Sequence, residues 1–331
     1  MIITKTPFRI SFVGGGSDLD SFYRLHTGAV LSTSINKYMY INSHPFFETD
    51  QTRLKYSKTE TVTSVSAIQH PIVKEVLSQL ALPMGTEISS NADIPAQSGL
   101  GSSSAFTVNL LLNCYTRKGI HVSKKQLAEE ACNIEIGRLK EPIGKQDQYA
   151  AAYGGLNIFE FHSDGSVSTH PLFLKEPLYK ALQDNLLLFY TGEKRRAADV
   201  LSEQKKNMSD PKKIEILNKM VALVWELRDA LYRDNLSQFG HILHQNWELK
   251  KKLASRISSP IIDDYYSTAL KHGALGGKLL GAGESGFLLF YCEKKHQAEV
   301  RAALSALREL PFCFEKNGAH LIYFDYEGGQ S

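Results

Sequence analysis

Several features that would settle a protein's class at once are scarce in this sequence. Only 4 cysteines occur among 331 residues, at Cys114, Cys132, Cys292 and Cys313, and none form a Cys-x-x-Cys pair. That argues against a disulfide framework and against a cysteine metal site. Cys114 and Cys132 fall in apolar helical patterns and read as reduced, buried thiols, so the expected location is cytoplasmic. No apolar run approaches the length of a membrane span, and the first residues open a strand rather than the apolar core of a signal peptide. Charge of one sign is scarce too. The net charge of +3 is too small to argue for nucleic acid, and no basic patch is interleaved with aromatics. The Lys-rich runs at 203–206 and 250–252 sit in helical patterns and read as solvated faces. Also missing are a G-x-x-x-x-G-K-[ST] loop and the H-R-D and D-F-G pair of protein kinases.

What is present is ordinary globular material, 43% hydrophobic and 22% charged. It is long enough for two domains, with the boundary expected between Pro171 and Asp184, giving 1–178 and 179–331. Residues 8–13 alternate like a half-buried strand and run into Gly14-Gly15-Gly16-Ser17-Asp18, followed by a short helix capped by Ser17. Residues 29–34 and 38–43 predict two strands with a turn at Asn36-Lys37. Ser123 with Gln126 forms a capping-box pattern for a helix over 124–139. Asp164-Gly165 centres a hairpin. From residue 186 the texture is one buried strand and then mostly helix, with Asp210-Pro211 as a helix start. A strand–helix–strand ending over 276–325 suits an α+β layer.

Three glycine-rich stretches stand out. In Pro95-Ala96-Gln97-Ser98-Gly99-Leu100-Gly101-Ser102-Ser103-Ser104-Ala105, the glycines permit a tight turn and close backbone approach, and an apolar helical run follows the serines. A helix start offers free N–H groups and partial positive charge, so this loop is either a phosphate cradle or a turn with a serine cap. Gly281-Ala282-Gly283-Glu284-Ser285-Gly286 matches G-x-G-x-x-G literally, but Phe287-Leu288-Leu289-Phe290-Tyr291 after it reads as a strand, which rejects a dinucleotide fold.

Together with Pro7-Phe8-Arg9-Ile10-Ser11-Phe12-Val13-Gly14-Gly15-Gly16-Ser17-Asp18-Leu19, these stretches resemble the three motifs of the GHMP kinase superfamily in correct order, across nearly the whole chain. The Gly-Gly-Gly-Ser-Asp-Leu segment, Gly144-Lys145-Gln146-Asp147-Gln148, and Trp247 with Lys250 are similar to the branch acting on D-glycero-D-manno-heptose 7-phosphate. The Gly-Glu-His-Thr-Asp form of galactokinases is absent. The resemblance implies an α+β fold: an N-terminal mixed α/β domain with a left-handed βαβ-type phosphate loop, and a ferredoxin-like C-terminal domain. It implies an ATP- and Mg2+-dependent sugar kinase that phosphorylates the anomeric hydroxyl of the heptose 7-phosphate to the 1,7-bisphosphate, in nucleotide-activated heptose synthesis. Another GHMP sugar kinase, acting on fucose or galactose, and a non-catalytic binding protein of the same fold stay open. The implied partners are a small sugar phosphate and ATP, with neither nucleic acid nor membrane, and a homodimer left open.

The resemblance also implies roles. Asp147 is the catalytic carboxylate and Arg9 the cation beside it and the transferring phosphoryl group. Gly99, Leu100, Gly101, Ser102, Ser103 and Ser104 hold ATP. Ser103 and Glu135 hold magnesium, with Glu130 and Glu141 as alternatives, because this chain has one residue more than mevalonate kinases between that glutamate and the aspartate. Gly15, Gly16, Ser17 and Asp18 bind the sugar, and Gly283 shapes the wall of the site. Arg195 and Arg196 are the expected holders of the substrate's phosphate, with Arg138 and Lys140 as competitors. Glu284-Ser285 stands where family members often carry a further glycine.

Overall fold

The computed structural model describes residues 1–192, 198–207, 210–283 and 285–325; Arg195, Arg196 and Glu284 lie outside the described residues. Strand β1 (Ile2–Val13) sets the frame. Its two-residue period places Phe8, Ile10 and Phe12 on one face and Arg9 and Ser11 on the other. The first face is wholly buried, each phenylalanine contributing about 2–3 kcal/mol of burial. The second face carries the polar side chains toward the cavity described below.

Helix α1 (Asp20–Tyr23) follows, with no side-chain cap; Leu19, not Ser17, stands at its N-cap. The next strand, β2 (Gly28–Pro45), corrects the two-strand reading, for it runs unbroken over 18 residues. It stays paired with β1 from Ile2↔Ser43 to Val13↔Leu31, and the Asn36-Lys37 segment falls at a register shift between Pro7 and Phe8 rather than at a turn. A short hairpin, β3 (Thr52–Lys55) and β4 (Thr59–Val62), leads to α2 (Pro71–Gln79) and β5 (Thr86–Ala92). Helices α3 (Ser102–Arg117), α4 (Lys124–Cys132) and α5 (Gln146–Tyr153) come next, then the hairpin β6 (Leu156–Phe161) and β7 (Val167–Pro171). The first sheet runs β5 beside β2, β2 beside β1, with β3–β4 at one edge and β6–β7 on the lower half of β2.

After α6 (Glu176–Asp184) comes β8 (Leu186–Tyr190), then four helices: α7 (Ala198–Lys206), α8 (Pro211–Tyr232), α9 (Leu236–Lys250) and α10 (Pro260–Lys271). Asp210 caps α8 by accepting from Lys212 N at 2.9 Å, with Pro211 in its first turn. Strands β9 (Ala274–Leu279) and β10 (Phe287–Cys292), helix α11 (Lys294–Ala303) and β11 (Arg308–Glu309) complete an antiparallel sheet in the order β11-β8-β10-β9. Chain order and spatial order together give the ferredoxin-like pattern. The chain then returns. β12 (Phe314–Glu315) pairs with β2 and β13 (His320–Phe324) pairs with β1. A division at 178/179 therefore does not hold for the end of the chain, whose last strands belong to the first sheet. Phe12 meets Phe239 of α9 at 5.1 Å and Phe314 at 6.5 Å between ring centroids, so the two sheets share one apolar seam.

Candidate active site

A cavity opens where the end of β1, the starts of α3 and α5, the end of α9 and the β9–β10 loop converge. At its floor α3 begins at Ser102, three residues before the apolar run that starts at Ala105, and its N-cap is Gly101 with no side-chain cap bond. The serines do not cap the helix. Ser102 Oγ instead accepts from Gln97 N at 3.3 Å, which folds the loop back on itself. The first-turn N–H groups thus stay available to an anion. Gly101 adopts φ +79°, and a Cβ there would lie 3.3 Å from Asp147 Oδ2, so glycine lets the carboxylate come close to the loop.

Asp147 lies in the first turn of α5. Arg9 Nε donates to its Oδ1 and Arg9 Nη2 to its Oδ2, both at 2.8 Å, while Nη1 donates to Gly99 O at 2.6 Å. One guanidinium therefore ties the carboxylate to the phosphate loop with paired, planar donors. The Arg9 side chain is 6% exposed and that of Asp147 23%, so the cation is sealed and the acid faces the cavity.

Glu135 is fully buried and accepts from Ser103 Oγ at 2.6 Å and from Gln148 Nε2 at 2.7 Å. Burial pushes its pKa up to about 6, against the opposing pull of those two hydrogen bonds. The helix expected over 124–139 changes character here: α4 ends at Cys132 and a π-helical turn, Asn133–Arg138, carries Glu135. A π turn holds one residue more than an α turn. Glu130, by contrast, is engaged by Tyr115, Gln126 and Gln79. Glu135 and Glu141 both lie outside the cavity lining, but Glu135 is bonded to Ser103, which lines it. Ser103 and Glu135 are hard oxygen donors side by side at the serine turn, a set that fits magnesium, which takes one or two protein oxygens alongside phosphate and water. Among the described residues no group of three or more His, Cys, Asp or Glu could hold a metal without such outside ligands.

The opposite wall mixes residues the motifs point to with residues they do not. Gly15, Gly16, Asp18 and Gly283 all line the cavity. Asp18 Oδ1 accepts from Gly16 N at 2.9 Å and Oδ2 from Gln146 N at 3.2 Å. Burial, and then the neighbouring Asp147, raise its pKa. Gly144 is required here because a Cβ would meet Asp18 Oδ2 at 1.9 Å. Ser17 is a correction. Its hydroxyl donates toward Gly14 O at 2.8 Å and Ala29 O at 3.0 Å and accepts from Ala29 N at 3.1 Å, so it fastens the glycine loop to β2 instead of facing a ligand. Arg138 pairs with Glu75 at 3.3 Å outside the cavity, and Lys140 does not line it.

The largest correction concerns Lys250. Far from a solvated face, it is buried at the end of α9 and reaches the cavity, with Nζ donating to Gly281 O at 2.5 Å. Lys278 of β9 is buried beside it and donates to Phe12 O at 3.0 Å. The signal for Lys250 was present: Phe239, Ile242, Leu243, Asn246, Trp247 and Lys250 recur at helical spacing, and all six are buried.

An uncapped helix start, a clamped carboxylate and an exposed serine hydroxyl bonded to a buried glutamate are parts that phosphoryl transfer can use. Residues 67–155 match the family described as GHMP kinases N terminal domain, and 227–311 the one described as GHMP kinases C terminal, together more than half of the chain. The chain belongs to the GHMP kinase family. It is 27% identical to D-glycero-alpha-D-manno-heptose 7-phosphate kinase of Campylobacter jejuni, over 92% of this chain and 93% of that protein. It is 29% identical to L-fucokinase/L-fucose-1-P guanylyltransferase of Bacteroides fragilis, over 71% of this chain and 25% of that protein. A crystal structure of a D-glycero-D-manno-heptose 1-phosphate kinase from Bacteroides thetaiotaomicron matches with a TM-score of 0.81 at 26% identity, covering 98% of this chain and 100% of that one. The enzyme is accordingly a phosphotransferase of the sugar-kinase type, of a family that uses ATP. Among the described residues no helix is long and apolar enough to cross a membrane.

Proposed function

We propose that the enzyme transfers the γ-phosphoryl group of ATP to the anomeric hydroxyl of D-glycero-D-manno-heptose 7-phosphate, giving the 1,7-bisphosphate. The observation that carries this reading is the Arg9–Asp147 clamp, which presents a fixed carboxylate beside the free N–H groups of the serine turn, with Asp18 bonded to the adjacent Gln146. The likeness to the Campylobacter jejuni heptose 7-phosphate kinase supports the choice of acceptor, and the structure of the heptose 1-phosphate kinase supports a heptose substrate more broadly.

In this reading ATP rests its phosphates on the loop at Gly99 to Ser104, where the turn's N–H groups and the helix dipole meet negative charge. Ser103 and Glu135 hold magnesium, which when bound neutralises charge building on the phosphates. Asp147 accepts a hydrogen bond from the anomeric hydroxyl and orients it in line with the γ-phosphorus. Arg9 keeps that carboxylate in place and adds positive charge next to the transferring group. Asp18, with the backbone of Gly15 and Gly16, holds sugar hydroxyls. The anomeric phosphate of the product is the form a nucleotidyltransferase activates.

A coupled assay of ADP release tests the reading with heptose 7-phosphate, free heptose, L-fucose and galactose as acceptors. The expected result is turnover concentrated on the phosphorylated heptose. Turnover confined to unphosphorylated sugars rejects it, and preference for L-fucose would favour the kinase activity named in the Bacteroides fragilis relative.

A further inference from the structure

Two buried lysines in the cavity wall have no part in that transfer. Lys250 is 5% exposed and Lys278 1%. An ammonium has three N–H donors. Among the described residues each lysine spends one on a backbone carbonyl, Gly281 O or Phe12 O, and neither has a carboxylate within 4.0 Å. The nearby acids are committed elsewhere, Asp147 to Arg9 and Asp18 to the N–H groups of Gly16 and Gln146. Burying two cations side by side with Asp18 and Asp147 near but not in contact is costly. Burial first, and then the neighbouring cations, lower the pKa of both, that of Lys250 to about 8. Also lining the cavity, Ser11 Oγ, Gln204 Nε2 and Ser285 Oγ are buried without a hydrogen-bond partner among the described residues. Among the described residues these groups leave hydrogen-bonding capacity unfilled.

We propose that Lys250 and Lys278 form the subsite for the acceptor's own phosphate. This rests on the sugar-phosphate reading of the site. The placement suits one molecule spanning both ends: Arg9, at the reacting end, and Phe12, where Lys278 is anchored, are separated by roughly 10 Å along β1, comparable to an extended seven-carbon sugar. A phosphate arriving there supplies the missing charge and fills the free donors of both ammonium groups.

Two measurements separate the subsite from the choice of sugar. In the first, inorganic phosphate is titrated calorimetrically into enzyme saturated with a non-hydrolysable ATP analogue, so that the serine turn is already filled. Binding is expected in the wild type, with proton uptake near pH 8, and weaker by about 10- to 100-fold in Lys250→Met and in Lys278→Met. Methionine keeps the length of the stem and removes the buried charge, so both variants should melt no lower than the wild type without ligand. Lys250→Arg retains the charge and should restore most of the affinity. Phosphate affinity unchanged in both methionine variants overturns the subsite.

In the second measurement, kcat/KM is compared for heptose with and without its 7-phosphate. The preference for the phosphorylated sugar is expected to fall by about 10- to 100-fold in either methionine variant. If the preference survives there and collapses in Arg195→Ala and Arg196→Ala instead, the phosphate sits elsewhere and the proposal fails. A wild type that shows no preference at all fails the heptose phosphate reading, while the phosphate titration still decides on the lysines.

Discussion

The two walls of the cavity are built on opposite plans. On the wall formed by β1, α3 and α5, the charged groups have found partners within the protein: Arg9 holds Asp147 and, behind the serine turn, Ser103 and Gln148 hold Glu135. On the wall formed by α7, α9 and the β9–β10 loop, Lys250, Lys278, Gln204 and Ser285 keep donors unspent. The difference separates two tasks. Groups that stabilise a transition state gain from being fixed before the substrate arrives, since no reorganisation is then needed during the transfer. Groups that recognise a ligand gain from being left short of a partner that only the right ligand supplies. The first wall is rigid chemistry, common to any acceptor; the second is where acceptors are told apart.

Breaking the first wall should have the largest effect. Asp147→Asn leaves the shape of the site and one oxygen for Arg9 but removes the carboxylate that orients the hydroxyl. Turnover is expected to fall by about two orders of magnitude or more, with ATP affinity near that of the wild type because the serine turn is untouched. Steady-state kinetics with nucleotide titration measures both; full turnover in the variant would falsify the assignment of Asp147.

Glu135 gives a sharper test, because stability and activity should move in opposite directions. Its folded pKa of about 6 lies above the 4.5 of an unburied glutamate. The folded state therefore takes up the proton more readily, and the stability this group contributes is complete below pH 4.5 and lost as pH rises through 6. In the absence of nucleotide and metal, Glu135→Gln should match the wild type below pH 4.5. Above pH 6 it should be more stable by about 1–2 kcal/mol, since the amide of Gln148, whose Oε1 is unpartnered, can turn to accept from it. The same substitution should weaken magnesium binding and cut kcat/KM by about tenfold or more, and the fall in magnesium affinity expected of the wild type below pH 6 should be absent from the variant. Denaturant melts and magnesium titrations across pH 4–8 read both arms. Loss of stability above pH 6 would mean that the carboxylate is a structural anchor rather than a group held at a cost for the metal.

These two walls were not equally legible in the sequence. The first wall lies in local motifs: glycines beside serines before an apolar run, and an aspartate in a polar loop, carry their chemistry in adjacent residues. Even there the detail was decided by long-range packing. Gly101 took the cap position, Ser17 was drawn into backbone bonds with Ala29, and the π turn that places Glu135 has no composition of its own. The same holds for the fold. The hairpin at Asp164-Gly165 and the cap at Asp210 follow local rules, whereas the unbroken β2, which also pairs with β6 and β12, and the return of β13 to β1 depend on partners over a hundred residues away. The second wall was misread at Lys250 because a run of three lysines looks like solvent-facing charge when composition is weighed before periodicity.

That misreading sets up the smallest expected effect and the finest test of the comparison. Lys250 and Lys251 are neighbours in the chain, but one step along a helix turns the side chain by about 100°. Lys250 faces the cavity, while Lys251 bridges Glu248 at 2.8 Å and Asp263 at 3.7 Å with its side chain 28% exposed. Exposed pairs of this kind are worth about 0.2–1 kcal/mol and weaken in salt. Lys251→Ala should therefore cost no more than about 1 kcal/mol of stability, an effect that shrinks in high salt, and it should leave the preference between phosphorylated and free sugar where it was. Because the two variants remove the same formal charge one residue apart, a shift in acceptor preference in Lys251→Ala equal to that in Lys250→Met would show that net positive charge near the mouth, and not a directed buried donor, does the selecting.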